Sequence, residues 1–402
     1  MPRLGLVLPA TSYRGPDFVD AATDLGVDLV VATEGSLPLS PGVTVITIDC
    51  SRPHLAAETI VAAVTADPLD AVLGVDDAGV VIAALVAEAL SLPHNPVAAV
   101  AATRDKSVMR TFLAMAAVPQ PRFALLDDPA TAPAVASGLG YPVVIKPRTL
   151  NASRGVIRAD DPAGVTRAVA RVLAIVAEAH ETPPLLIEEY LDGPEVAVEA
   201  LVGPAAVEVL AVFDKPDPLV GPFFEETIYV TPSRHPGATL SEVEDLLRRA
   251  VAALGLVAGP LHAEFRLTAD GPKVIEVASR SIGGLCGRSL RFGMLQQSLE
   301  SVLIRAALGL PRRGMSREPA ASGVMMLPIP QDGILQVVRG IAAVSEVPGI
   351  TSIEITVPTG GRLRRLPEGD RYLGFMFASA DEPAEVEGAL REAHSLLEVV
   401  VD

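Results

Sequence analysis

Cysteine, lysine and aromatic residues are all scarce in this chain, and each scarcity excludes something. The two cysteines, Cys50 and Cys286, are too few for a disulfide framework and lack metal-ligand spacing. Tryptophan is absent and aromatics make up 4% of the residues, so the cores must be aliphatic. No apolar run can span a bilayer, since the longest, Gly79 to Ala87, ends at Glu88. The opening run Leu4–Leu8 is too short for the apolar core of a signal peptide, which leads to the expectation of a cytoplasmic protein with no membrane partner. Lysine occurs four times, at positions 106, 146, 215 and 273, among 32 basic residues. The formal charge of −17 argues against nucleic acid, whose binding rests on neutralising phosphates. Where arginine supplies nearly all the positive charge, each lysine becomes a candidate for a place that wants a compact ammonium.

What is present is length, aliphatic bulk and alternating structure. At 402 residues, half of them hydrophobic, the chain should form two to four units of the α/β class. Residues 1–101 alternate short apolar strands (4–8, 28–32, 43–48, 71–75) with helical stretches (17–25, 55–65, 78–90), the pattern of a Rossmann-like layer. No G-x-G-x-x-G follows the first strand, so a dinucleotide is not indicated. A second unit, 102–310, opens with a helix over 105–117 carrying Lys106 in its first turn. Strand 143–146 ends in Lys146, and the flexible Thr149–Val156 loop follows, within a lid expected over about 140–188. Residues 311–402 read as a small α+β unit. It is expected either to close over a substrate pocket or to build a homodimer interface.

The most informative local pattern surrounds Asp270-Gly271. A three-residue loop, Ala269-Asp270-Gly271, pairs Thr268 with Pro272 and sets Glu264 opposite Glu276. Ala263, Phe265, Leu267, Ile275 and Val277 then share an apolar face, while His262, Glu264, Arg266 and Glu276 share the other. Opposed carboxylates about 4.5–5.5 Å apart at Cβ repel each other. A hard divalent cation such as Mg²⁺ removes that repulsion. Earlier in the chain, the apolar strand Leu185–Glu188 runs into Glu189-Tyr190-Leu191, with Glu195 a few residues on; an extended backbone there could meet a purine edge.

Taken in order, these elements resemble the ATP-grasp superfamily over roughly residues 4–310. They are lysine, lysine on a strand, flexible loop, Glu-Glu-Tyr-Leu, then two carboxylates on a hairpin followed by arginine. Within it, Pro-Phe-Phe-Glu-Glu-Thr (222–227) and the run from Glu276 to Gly284 are most similar to the L-amino acid ligases. The resemblance implies a Rossmann-like N-terminal domain, ATP-grasp central domains and a small C-terminal domain. It implies an ADP-forming ligase that joins a small-molecule carboxylate to an amine through an acyl-phosphate. ATP would meet Lys106, Lys146, Ser153, Gly155, Glu188, Glu189, Tyr190, Leu191 and Glu195. Glu264 and Glu276 would hold one or two Mg²⁺, with Mn²⁺ as a substitute. Arg280 and Lys146 would act on the reacting groups; Glu225 or Glu226, His262, Gly283 and Gly284 would face substrate. Family members commonly carry Asn two residues after the second metal-binding Glu, where this chain has Ala278. A purine-pathway or biotin carboxylase-like activity, and a degenerate ATP-binding regulator, are the competing expectations.

Overall fold

The computed structural model describes residues 1–10, 12–35 and 43–402. Its first layer is a parallel sheet in the spatial order Thr44–Thr47, Asp28–Thr33, Arg3–Val7, Ala71–Gly74. Apart from the largely exposed edge strand Thr44–Thr47, both faces are buried, which is why the other strands read as unbroken apolar runs: Leu4 and Leu6 enter one core with Phe18, and Val7 and Val72 another with Ile60 and Ile82. The helix Asp77–Leu90 starts hard against this sheet, and a Cβ on Gly79 would lie 2.3 Å from the Val7 carbonyl oxygen. Only glycine permits that approach, and it delivers Asp76 and Asp77 to the carboxyl end of the strands.

The lid is an antiparallel four-stranded sheet, Phe123–Leu126, Leu185–Glu189, Val143–Lys146 and Ile157–Ala159 in space. Helices Ala132–Leu139 and Pro162–Glu178 cover one face through Ala136, Val165, Val169 and Val172. Between lid and first layer runs the helix Lys106–Met115, started by Asp105, whose carboxylate accepts from the Ser107 and Val108 amides.

An eight-stranded sheet organises the rest, in the order Gly271–Ala278, Gly259–Thr268, Glu195–Val202, Val207–Lys215, Ile228–Thr231, Ala321–Leu327, Gly374–Ala380, Ile350–Ile355. The sheet therefore runs straight across the boundary at Pro311 that composition suggests: Ile228–Thr231 pairs antiparallel with Ser322–Met325. A second small sheet, Arg362–Leu363, Gly333–Arg339 and Glu398–Val401, completes the C-terminal unit. That unit grips the lid. The Gly155 amide donates to the Pro367 carbonyl at 2.9 Å, Arg171 makes a two-pronged contact with Glu368 (2.6 and 2.9 Å), and Arg364 pairs with Glu178. None of the described helices is long and apolar enough to cross a membrane.

The hairpin departs from the expected turn yet keeps the expected pair. Thr268 pairs with Gly271 across a two-residue turn, and Phe265 faces Val274 rather than Ile275. A bulge at Ile275 then shifts the register, so that Glu264 still meets Glu276. Val274 takes the core position, and Ile275 turns to the cavity beside Glu276.

Candidate active site

Where the lid, the central sheet and both outer units meet lies a cavity of about 740 Å³. Lys106, Lys146, Ser153, Glu188, Glu189, Tyr190, Leu191, Glu195, Glu226, His262, Glu264, Glu276, Arg280, Gly283 and Gly284 all line it. Two expected residues do not. Gly155 packs on the Pro147 ring and its amide is taken by Pro367, so it is unavailable to a phosphate. Glu225 turns away into a separate small pocket with Arg364 and Leu366, whereas Glu226 lines the cavity.

At the lid end, Lys146 Nζ lies 2.7 Å from Glu188 Oε2, and Arg110 Nε donates to Glu188 Oε1 at 2.6 Å. Burial pushes Lys146 down to about 8, against the pull of Glu188. Burial alone would raise Glu188, but Arg110 and Lys146 outweigh it and hold the carboxyl down at about 2. Lys106, at the first turn of its helix, donates to the Leu150 carbonyl (2.8 Å) and stands 3.4 Å from Glu276. The Glu189 and Tyr190 amides, expected at a purine edge, are spent on the Arg122 and Pro142 carbonyls. The Tyr190 ring instead forms a wall, stacked on Phe224 (6.4 Å) and covered by the Arg158 guanidinium at 4.3 Å.

The middle of the cavity holds an arrangement that spacing alone did not reveal. Carboxylate oxygens of Glu195, Glu226 and Glu264 lie within 4.8 Å of one another. At an effective dielectric of about 20, each pair of such charges repels by roughly 3–4 kcal/mol. Lys215 Nζ sits among them, 2.6 Å from Glu195, 2.5 Å from Glu226 and 2.9 Å from Glu264. Burial disfavours its charge, yet the three carboxylates raise its pKa well above the ordinary lysine value. Burial pushes Glu226 up to about 7, Lys215 drawing it down and Glu264 up. Glu195, expected at a ribose, also pairs with Arg266 at 2.8 Å. His262 is neither a bland core residue nor solvent-facing: Nδ1 meets Glu199 at 2.5 Å and Nε2 lies 3.3 Å from Glu264. Burial opposes its protonation, but Glu199 dominates and lifts it to about 9.

Arg280 stands at the junction with the N-terminal layer. Asp77 accepts from its Nε (2.9 Å) and its second terminal nitrogen (3.1 Å), and also pairs with Arg104 (2.9 Å) and Asn151 (2.8 Å). Despite its burial, which would raise it, Asp77 is held far below the usual carboxylate range by Arg280 and Arg104. Asn151 comes from the lid loop, so that loop is tied down across the site. The far wall is C-terminal: Met326, Thr356, Asp370, Arg371 and Tyr372. The C-terminal unit thus supplies one wall of the pocket. Sequence reasoning missed Lys215, Arg110, Asp77 and Arg371; for Lys215 a signal existed in the rarity of lysine.

Comparisons with known proteins match this fold. An ATP-grasp domain model matches residues 139–289, an ATP-grasp N-terminal domain model residues 19–94, and an L-amino acid ligase C-terminal domain 2 model residues 325–402. The L-amino acid ligase from Bacillus licheniformis superposes with a TM-score of 0.83 at 24% identity, over 100% of this chain and 99% of that one. The biotin carboxylase domain of the Hydrogenobacter thermophilus 2-oxoglutarate carboxylase, solved with MgADP, ADP and bicarbonate, gives 0.71 at 17%, over 99% and 90%. A D-alanine–D-alanine ligase of Aromatoleum aromaticum is 30% identical over 208 residues, 50% of this chain and 64% of the relative.

Proposed function

This chain belongs to the ATP-grasp superfamily, whose members are ADP-forming ligases, and from that premise we propose that it joins the carboxylate of an L-amino acid to an amine. The observation that carries this reading is convergence: Lys106, Lys146, Glu264, Glu276 and Arg280 reach one cavity from far apart in sequence. A carboxylate oxygen of the first substrate takes the γ-phosphoryl of ATP, releasing ADP and leaving an acyl-phosphate. The amine nitrogen then attacks the acyl carbon, the carbon–oxygen bond to phosphate breaks, and phosphate and one proton depart. Phosphoryl transfer asks mainly for positioning and charge neutralisation, which Lys146 and Lys106 supply at the phosphates. Arg280 steadies the oxyanion that develops as the amine attacks, and the tethered Thr149–Val156 loop keeps water from the intermediate. Glu226, facing the cavity, receives the amino group of the first substrate.

The donor set fits Mg²⁺. Glu264 and Glu276 offer hard carboxylate oxygens on directly paired residues, Glu264 beside Lys215 and the carboxylates of Glu195 and Glu226, Glu276 beside Lys106. When bound there, the ion would supply positive charge that offsets the phosphates' negative charge. Ala278, buried in pairing with His262, offers no further oxygen, so these residues support one tightly held ion better than two.

Two measurements test the reading. Purified protein with MgATP and mixtures of L-amino acids should release ADP only when an amine is present, with a new product mass equal to two substrates minus water. Nucleotide binding without turnover across amino acids, other carboxylates, polyamines and bicarbonate would favour a regulatory ATP-binding protein instead. Lys146 attracts phosphates only while protonated, and its pKa stands at about 8. Raising pH through that value removes the charge, so kcat/KM for ATP should fall by about tenfold per unit above pH 8. A profile flat to pH 9.5 would show that Lys146 does not carry the phosphate contact.

A further inference from the structure

The turn that carries Arg280 lies outside strand and helix, just past the end of Gly271–Ala278. Side chains from other units hold it there. Asp77 grips the guanidinium, and Thr103 meets Ser279 hydroxyl to hydroxyl at 3.0 Å. The backbone of Ile282 is taken from both sides by buried charged residues. Its amide donates to Glu199 Oε2 at 2.9 Å, and its carbonyl accepts from Arg14 at 3.0 Å. The same Arg14 nitrogen donates to Ser281 Oγ at 2.6 Å, while the other terminal nitrogen donates to Glu300 Oε1 at 2.7 Å. Arg14 comes from the N-terminal layer, at the start of the helix Gly15–Asp24, and its guanidinium lies 5.1 Å from the centre of the Phe18 ring. Glu300 comes from the first turn of the helix Leu299–Ala307. Both side chains are only 2% exposed.

Stability is a poor reason for burying this pair, because a buried ion pair contributes little over well-packed apolar side chains of similar volume. What it supplies is direction. A guanidinium is planar with its donors fixed in a fork, so one anchored on Glu300 and Phe18 presents its remaining donors to fixed points on the turn. Arg280 in turn donates to the Ser281 carbonyl at 3.0 Å, so the residue that Arg14 holds by its hydroxyl holds Arg280 by its carbonyl. We propose that Arg14, backed by Glu300, is a positioning residue for amide formation: it sets the turn so that Arg280 meets the acyl-phosphate as the amine attacks. This rests on the ligase reading and deepens it. Arg14 acts through Arg280 rather than on the reacting atoms. Without Arg14, Asp77 still binds the Arg280 guanidinium, but the backbone beneath it can shift and amine attack slows. The acyl-phosphate then has time to meet water. Hydrolysis breaks the carbon–oxygen bond to phosphate, water supplies the oxygen that restores the carboxylate, and ADP accumulates without amide.

The test counts ADP and amide in the same reaction, with MgATP, a fixed amino-acid donor and saturating amine. Wild-type protein should release close to one ADP per amide. Arg14→Met should lower kcat for amide by about 10- to 100-fold, the scale of a displacement of about 1 Å at a reacting group, with KM for ATP held within about twofold. Its ADP-to-amide ratio should rise about threefold or more as the stranded intermediate hydrolyses. Arg14→Lys, which keeps the charge and loses the fork, should fall between. Ser281→Ala removes one of the two acceptors on the turn and should raise the ratio by a lesser amount, so the question is decided even if Arg14→Met does not fold. As a control, Ile60→Ala, in a separate core of the same layer, should lower Tm and leave the ratio at the wild-type value. An unchanged ratio in the Arg14 and Ser281 variants, or an equal rise in Ile60→Ala, would overturn the assignment while leaving the ligase intact. Failure of wild-type protein to form amide with any acceptor would remove the ligase reading and this one with it.

Discussion

Replacing Arg280 with alanine should lower amide formation by about 10²- to 10³-fold, the range set by deleting one donor aimed at a developing oxyanion. Nucleotide binding should survive, because Lys106 and Lys146, proposed above to meet the phosphates, are untouched. The structure also says why the variant should fold. Removing Arg280 takes away a two-pronged contact from Asp77, but Arg104 at 2.9 Å and the Asn151 side chain at 2.8 Å remain to hold that carboxylate. The cost to stability should therefore stay below the roughly 3–5 kcal/mol typical of orphaning a buried charge. Arg280→Lys, which keeps the charge and loses the fork, should recover part of the rate. Product formation is read beside a fluorescent-nucleotide titration; turnover within threefold of wild type would remove Arg280 from the chemistry.

Lys215→Met should do the larger damage to the fold. It leaves Glu195, Glu226 and Glu264 clustered within 4.8 Å, with Arg266 still on Glu195 and His262 3.3 Å from Glu264, but no cation on Glu226 among the described residues. Stability should fall by about 3–5 kcal/mol, a drop in Tm on the order of 5 °C for a chain of this size. Two rescues should work. Millimolar Mg²⁺ should restore part of the loss, since hard carboxylate oxygens can take the ion in place of the ammonium. Acid should help too: burial already holds Glu226 above its unfolded value, and losing Lys215, which draws it down, raises it further. That stabilising contribution is present at low pH and lost as pH rises through the folded values. The variant should thus gain more Tm than wild type between pH 8 and pH 6. A Tm within 2 °C of wild type, indifferent to Mg²⁺ and pH, would mean that the cluster tolerates its charges unaided.

How much of this could be read from sequence depends on how local its cause is. Strand periodicity put Glu264 opposite Glu276, and that pairing holds. The turn that leads to it was misjudged because the bulge at Ile275 is fixed from elsewhere: the Val274 amide donates to the Pro119 carbonyl, and Arg110 donates to the Val274 and Ile275 carbonyls at 3.3 and 2.7 Å. No pattern within residues 259–278 encodes those partners. Lys215 was conspicuous as one of four lysines, but its three acids lie at 195, 226 and 264, and only the folded sheet brings them together. The strand Gly333–Arg339 escaped notice for a different reason, being largely solvent-facing and so without a clean alternation. The lid loop was legible in position but not in availability, since the Gly155 amide is claimed by Pro367, more than two hundred residues away.

The sheet that crosses Pro311 decides how this molecule can be recombined. Four residue pairs, from Ile228–Met325 to Thr231–Ser322, stitch the last third of the chain to the strand beside Glu226. A cut at that point would bare the hydrogen-bonding edge of Ile228–Thr231, a strand with all four residues buried, and invite pairing with other chains. Chimaeras that swap only residues after 311 between homologues will therefore be limited by the match along this seam before any question of substrate arises. Crossovers placed in exposed turns, such as the one at Ala269-Asp270, should be tolerated far better.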